Sequence, residues 1–148
     1  CEWERQRLAA VSSMWHDESV PVGSPDPAAL PIMTSPDIVE IRTTFSTRAA
    51  AVACAERLVT AGLAACVQVD GPITSVYRWG GGVETAEEWR CVCKTTAAVR
   101  DACLEEVSSC HAYQTPELIV SDVAASMAYG DWVRASVSAE RQPPADGS

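Results

Sequence analysis

The stretch "DGPITSVYRWGGGVETAEEWRCVCKTT", residues 70–96, decides the fold. Before its glycines, Ile73, Ser75, Tyr77 and Trp79 fall on one side of an extended chain, with Thr74, Val76 and Arg78 on the other. After them, Trp89, Cys91 and Cys93 alternate with Glu88, Arg90, Val92 and Lys94. A period of two on both sides of the Gly80–Gly82 reversal predicts two long strands folded into a hairpin.

The flanks of the hairpin complete the pattern. "IVEIRTTF" (38–45) is β-branched and reads as a first strand. In 46–62 the period changes: Val52, Ala55, Leu58 and Val59 take helical spacing, Ser46 or Thr47 caps the start and Gly62 closes the end. "LAACVQV" (63–69) returns to extended chain and "DGP" (70–72) bends it into the hairpin. A second helix follows at 97–109, with Val99, Cys103 and Val107 at i, i+4, i+8 and Thr95 or Thr96 as its cap. "CHAYQTP" (110–116) is a loop, "ELIVSDV" (117–123) a fourth strand, and 126–137 a closing helix carrying Trp132, Val133 and Val137, weakened by Gly130. The order β-α-β-β-α-β with a C-terminal helix is the α+β, ferredoxin-like (split βαβ) arrangement. Two helices back one face of such a sheet and leave the other bare, which oligomerisation would cover together with the edges of the long strands.

Composition sets the outer limits. The 148 residues, 47% apolar and 21% charged, fit one globular domain at 37–138. Residues 1–36 are a Pro-rich disordered or loosely packed tail: five prolines fall in 21–36, and Trp3, Trp15 and His16 stand without a periodic frame. Met33 lies just before the first strand, so part of this segment reads as an upstream extension, and 139–148 reads as a flexible C-terminal tail. A net charge of −9 repels phosphate backbones and anionic lipid, so nucleic acid and membrane are excluded as partners. No run nears the roughly 18 apolar residues of a spanning helix. Seven cysteines without a CxxC pair, mostly on apolar faces, point to free thiols in a reducing, cytoplasmic setting.

Chemistry has few carriers. Any Cys–His or Ser–His mechanism must run through His111, and its sequence neighbour Cys110 points elsewhere on an ordinary backbone, so the chain reads as a non-enzyme. "WGGGVE" joins two strands rather than a strand to a helix and is no phosphate cradle. Cys110 with His111 sets a thiol beside an imidazole, a soft pair suited to copper or zinc, bound weakly unless another subunit adds ligands. Cys91 and Cys93 share a face with Trp89 and read as buried hydrophobes, as do Cys54, Cys66 and Cys103.

In order and spacing, "SVYRWGGGVE", "CKTT" and "YQTPELIV" resemble the CutA family of divalent-cation tolerance proteins over about residues 38–137. The resemblance implies a ferredoxin-like subunit similar to PII signalling proteins, a homotrimer assembled through the long hairpin, and a cytoplasmic role in copper and divalent-cation tolerance. By position His111 matches the family histidine, Cys110 stands where some members have a second histidine, and Arg42 where some have a copper-binding cysteine; Gly82 replaces the usual lysine of the hairpin turn. Tyr77, Trp79, Glu84, Glu88, Lys94, Tyr113, Gln114, Thr115, Pro116 and Glu117 fit the family pattern and would line an intersubunit cleft. Lys94 and Glu88 are expected to pair across the sheet, and Pro116 to fix the entry to strand four. A PII-like cleft around Lys94, Tyr113 and Glu117 would alternatively make the protein a sensor of an anionic metabolite.

Overall fold

The computed structural model describes residues 34–138. The expectations for 1–33 and 139–148, Trp3, Trp15 and His16 among them, lie outside the described residues. The elements run β1 (Thr34–Phe45), α1 (Arg48–Thr60), β2 (Cys66–Trp79), β3 (Gly82–Thr96), α2 (Arg100–Cys110), β4 (Ile119–Ser126) and α3 (Met127–Ser136). All pairings are antiparallel and the sheet order is β2-β3-β1-β4, the split βαβ order read from the sequence.

Strand β1 starts four residues before the expected Ile38, because Thr34 pairs with Ser126 and Ser35 with Ala125. Its odd residues Val39, Ile41 and Phe45 join Cys91 and Cys93 of β3 on the side covered by α1 and α2. Helix α1 buries Ala51, Cys54 and Leu58 against them. Thr47 caps its start, its hydroxyl accepting from the Ala50 amide at 3.1 Å. At the other end Gly62 takes φ +70°, its amide donates to Val59 O and the Leu63 amide to Leu58 O, a Schellman closure with Leu63 packed beside Leu58.

Helix α2 presents Val99, Cys103 and Val107 to the same core. It begins at Arg100, later than the sequence reading, with Val99 as an N-cap lacking a side-chain bond. Thr95 and Thr96 are not its caps: both are buried at the end of β3, and the Thr95 hydroxyl donates to Leu63 O at 2.8 Å. At its far end Cys110 belongs to the helix rather than to the following loop. Strand β4 likewise starts at Ile119, two residues after the expected Glu117.

The second face of the sheet is not wholly bare. Helix α3, capped by Ser126, buries Val133 against Ile38 and Ala65, while the rest of that face, around Arg42, Thr44 and the hairpin, stays open. Val137 is the C-cap in extended conformation, not a helical residue.

The hairpin closes through a two-residue turn. Trp79 pairs with Gly82, and Gly80 and Gly81 take φ +58° and +81°, the backbone of a type I′ turn. Lower down, Asp70 faces Arg90 but Ile73 faces Glu88, so Gly71 and Pro72 together oppose Trp89 alone. This bulge reverses the alternation: Val67 and Val69 lie toward the helices with Cys93 and Cys91, whereas Ile73, Ser75, Tyr77 and Trp79 turn to the open side.

Candidate functional site

Where the hairpin rises beyond the last pair of β1 (Phe45 with Trp89), the chain leaving α2 crosses the end of β1. Its first residue past the helix, His111, has extended backbone (ψ 138°). The imidazole stacks on Phe45 at 4.2 Å with the planes 2° apart, and its Nε2 lies 2.6 Å from Thr43 Oγ1, a fully buried hydroxyl. With Nε2 committed to Thr43, Nδ1 has no partner among the described residues, and no buried side-chain nitrogen or oxygen among them lacks one, so Nδ1 reaches solvent. Burial pushes the His111 pKa below its ordinary value, partly offset by the Glu88 carboxylate.

Cys110 takes a different course. It lies three residues after Val107, on the core-facing stripe of α2, and packs half-buried against the main core. The cluster it packs against includes the buried Cys54 of α1. Adjacent in sequence, Cys110 and His111 therefore hold different partners: one the α1–α2 seam, the other the end of β1. Among the described residues no group of three or more His, Cys, Asp or Glu side chains is arranged to hold a metal ion. Cys91 and Cys93 are buried as expected; burial raises the pKa of both, that of Cys91 to about 11.

Beyond His111 the segment 112–117 borders a cleft of about 870 Å³ on the open face of the hairpin. Tyr77, Trp79, Glu88, Tyr113, Gln114, Thr115, Pro116 and Glu117 line it, eight of the ten cleft residues expected from the sequence. Tyr113 donates to Glu88 Oε2 at 3.3 Å, tying the segment to β3. Burial, foremost, raises the Tyr113 pKa. Glu84 does not line the cleft, although it is paired with Tyr77, which does. Lys94 does not either: it lies lower on β3 and its ammonium meets Glu40 of β1 at 2.7 Å. Its expected pairing with Glu88 fails because the two belong to one strand, six residues apart, and the acidic residue directly opposite Lys94 is Glu40.

Sequence reasoning missed two cations of this cleft, Arg42 and Arg90. Arg90 is engaged by Asp70 through bonds of 3.2 and 2.7 Å, and that carboxylate raises its pKa. Arg42 is half-buried and makes no ion pair or hydrogen bond with the described residues. The one signal for it was its place on the same side of β1 as Glu40 and Thr44, opposite the apolar face.

The comparisons with known proteins agree with this architecture. The family model for the CutA1 divalent ion tolerance protein matches residues 39–136. The divalent-cation tolerance protein CutA of Citrobacter koseri is 36% identical over 103 residues, which are 69% of this chain and 90% of that protein. The protein of the same name from Thermus thermophilus is 37% identical over 81 residues, 54% of this chain and 79% of its own. Among solved structures, CutA from Synechococcus elongatus PCC7942 matches with a TM-score of 0.68 at 40% identity, covering 72% of this chain and 95% of that one. CutA1 from Oryza sativa matches at 0.67 and 30% identity, covering 69% and 94%. The Synechococcus protein has also been solved in complex with Bis-Tris, matching at 0.66 and 39% identity over 71% and 98% of the two chains.

Proposed function

The chain belongs to the CutA1 divalent ion tolerance family, and on that premise we propose that it is a non-enzymatic, cytoplasmic homotrimer that takes copper or zinc weakly at His111 and Cys110. The observation that carries the reading is the orientation of His111. A hydrogen bond on one ring nitrogen fixes the imidazole and leaves the other nitrogen as the donor, as metal-ligating histidines require. Its lowered pKa keeps the ring neutral, hence able to ligate, at neutral pH. Cys110, half-buried against the main core, would have to turn outward to join it. One imidazole and one thiolate from a chain make an open, weak site for a soft cation. Thr43, the hydroxyl closest to His111, is fully buried and out of reach of a substrate, which favours a non-enzymatic role.

Trimer formation rests on the hairpin. Val76, Trp79 and Val83 are 65%, 63% and 71% exposed there, and Ile119 and Val120 are exposed on β4, so both edge strands of the sheet carry uncovered apolar surface. No helix among the described residues is long and apolar enough to cross a membrane.

The test is a competition titration of Cu(I), Cu(II) and Zn(II) against the wild-type protein and its Cys110→Ser/His111→Ala variant. Binding near one ion per chain that disappears in the variant is expected, and equal binding by both proteins overturns the reading. A second reading is favoured by Arg42, a cation in the cleft with no acidic partner among the described residues: the cleft would hold an anionic metabolite. Arg42→Ala would abolish that binding and leave the metal titration unchanged.

A further inference from the structure

We propose that the open-face cleft binds a zwitterionic amino acid with an aromatic side chain, its carboxylate held by Arg42 and its ammonium by Glu88. This rests on the second reading above, an anionic group at Arg42, and adds to it the opposite charge and the body of the ligand.

Most charges on this face of the sheet are already matched. Lys94 meets Glu40 at 2.7 Å, and Asp70 of β2 engages Arg90 through bonds of 3.2 and 2.7 Å. Arg42, between these two pairs, is half-buried and makes no ion pair or hydrogen bond with the described residues. A guanidinium partly withdrawn from water is completed by a carboxylate, which it meets with two parallel N–H donors. Glu88 supplies the opposite pole. Its Oε2 accepts from Tyr113 at 3.3 Å, which fixes the carboxylate, and its Oε1 has no partner among the described residues.

The strand register gives the span. Arg42 faces Val92, and Glu88 lies four residues further along β3, about 13 Å away along the strand. The reach of an arginine and a glutamate side chain reduces that gap to one that a carboxylate and an ammonium on a single carbon can bridge. Glu117 borders the same cleft and also makes no ion pair or hydrogen bond with the described residues. Two carboxylates therefore face any ligand, which repels a phosphate or a dicarboxylate and accepts a cationic group.

Past Glu88 the wall turns apolar. Ile73 is directly opposite it, and Tyr77 follows four residues along β2, 44% exposed. A planar ring carried beside the two charged groups lies over Ile73 and covers Tyr77, removing apolar surface from water. The cleft, at about 870 Å³, is within the range of small-molecule sites.

The experiment is a calorimetric titration of the full chain with four probes: L-tryptophan, tryptamine, which lacks the carboxylate, indole-3-propionate, which lacks the ammonium, and L-alanine, which lacks the ring. Tryptophan is expected to bind at about one molecule per chain, and each of the others at least about tenfold more weakly. In Arg42→Gln, tryptophan should weaken to the level of tryptamine on wild type. In Glu88→Gln, which keeps an acceptor for Tyr113, it should weaken to the level of indole-3-propionate. Indole-3-propionate as tight as tryptophan overturns the zwitterion and leaves the anion reading standing, whereas tryptamine as tight as tryptophan removes the anion reading and the proposal with it. Alanine as tight as tryptophan, or no binding of tryptophan at all, overturns the proposal. The four probes are compared on the wild-type chain, so the result holds even if a variant fails to fold.

Discussion

Replacing Gly71 by alanine tests the feature that aims the hairpin at the cleft. A Cβ at this position would stand 2.7 Å from Trp89 Cδ1, 3.0 Å from Trp89 Cγ and 3.0 Å from the Glu88 carbonyl oxygen. The carbonyl belongs to β3 and cannot retreat without breaking the ladder, so the indole must give way, and Trp89 packs against the main core. Forcing an extra methyl into such a contact costs about 1–3 kcal/mol. The backbone at φ +155° adds strain of about 1 kcal/mol for a residue with a side chain. The sum, about 2–4 kcal/mol, corresponds to a fall in melting temperature of about 8–16 °C, at about 4 °C per kcal/mol for a domain near this size. Gly80→Asn is the control: nothing lies within 4 Å of a Cβ there, and an Asn-Gly pair suits the type I′ turn, so it should melt within about 3 °C of wild type. Both variants are melted at one protein concentration, since an assembly melts in a concentration-dependent way; tryptophan fluorescence follows the hairpin. If Gly71→Ala melts as high as Gly80→Asn, the close approach of Trp89 does not constrain the bulge and the reasoning fails.

His111 supplies a pH prediction. Its folded pKa is below the ordinary 6.5, so the folded state binds fewer protons than the unfolded chain; the contribution to stability is complete above pH 6.5 and is lost as the pH falls through the folded value. Urea melts from pH 7.5 to 5 should therefore show a steeper loss for wild type than for His111→Gln, and parallel slopes would refute the assignment. Leu58→Ala removes a fully buried side chain that joins α1 to its Schellman closure, and should cost about 2–5 kcal/mol, read as a lower urea midpoint at constant slope.

The hairpin, both helices, the α2 stripe and the element order were legible because each rests on a local period, two around Gly80–Gly82 and three to four around Val107; on α1 only Leu58 of the expected stripe is buried, with Ala51 and Cys54 in place of Val52, Ala55 and Val59. What was not legible depends on register between distant segments. Thr95 and Thr96 look like caps, yet non-local bonding holds Thr95 at Leu63, and α2 starts after both. Lys94 finds Glu40 only because β1 lies beside β3 with those residues opposed. "DGP" announced a bend, but nothing local shows that two residues there face one, and that count sends Tyr77 and Trp79 to the open face. Arg42, between Ile41 and Thr43 on β1, carries no motif, so its place in the cleft had no signal beyond strand alternation.

The pair "CH" at 110 and 111 shows how a single backbone step divides two chemistries. Cys110 is the last residue of α2, so the helix period turns its side chain to the main core. His111 is the first residue outside it, and its extended backbone carries the ring across the end of β1 to Phe45 and Thr43. A helix one residue shorter would free Cys110 from the core stripe, while one a residue longer would pull His111 away from Thr43. It follows that the thiol cannot pack against the core and hold an ion at the same time: packed it is withheld from metal, and turned outward it leaves the core stripe of α2 one side chain short. The soft half of the proposed metal corner is thus set by the core packing of α2, and the imidazole half by Thr43.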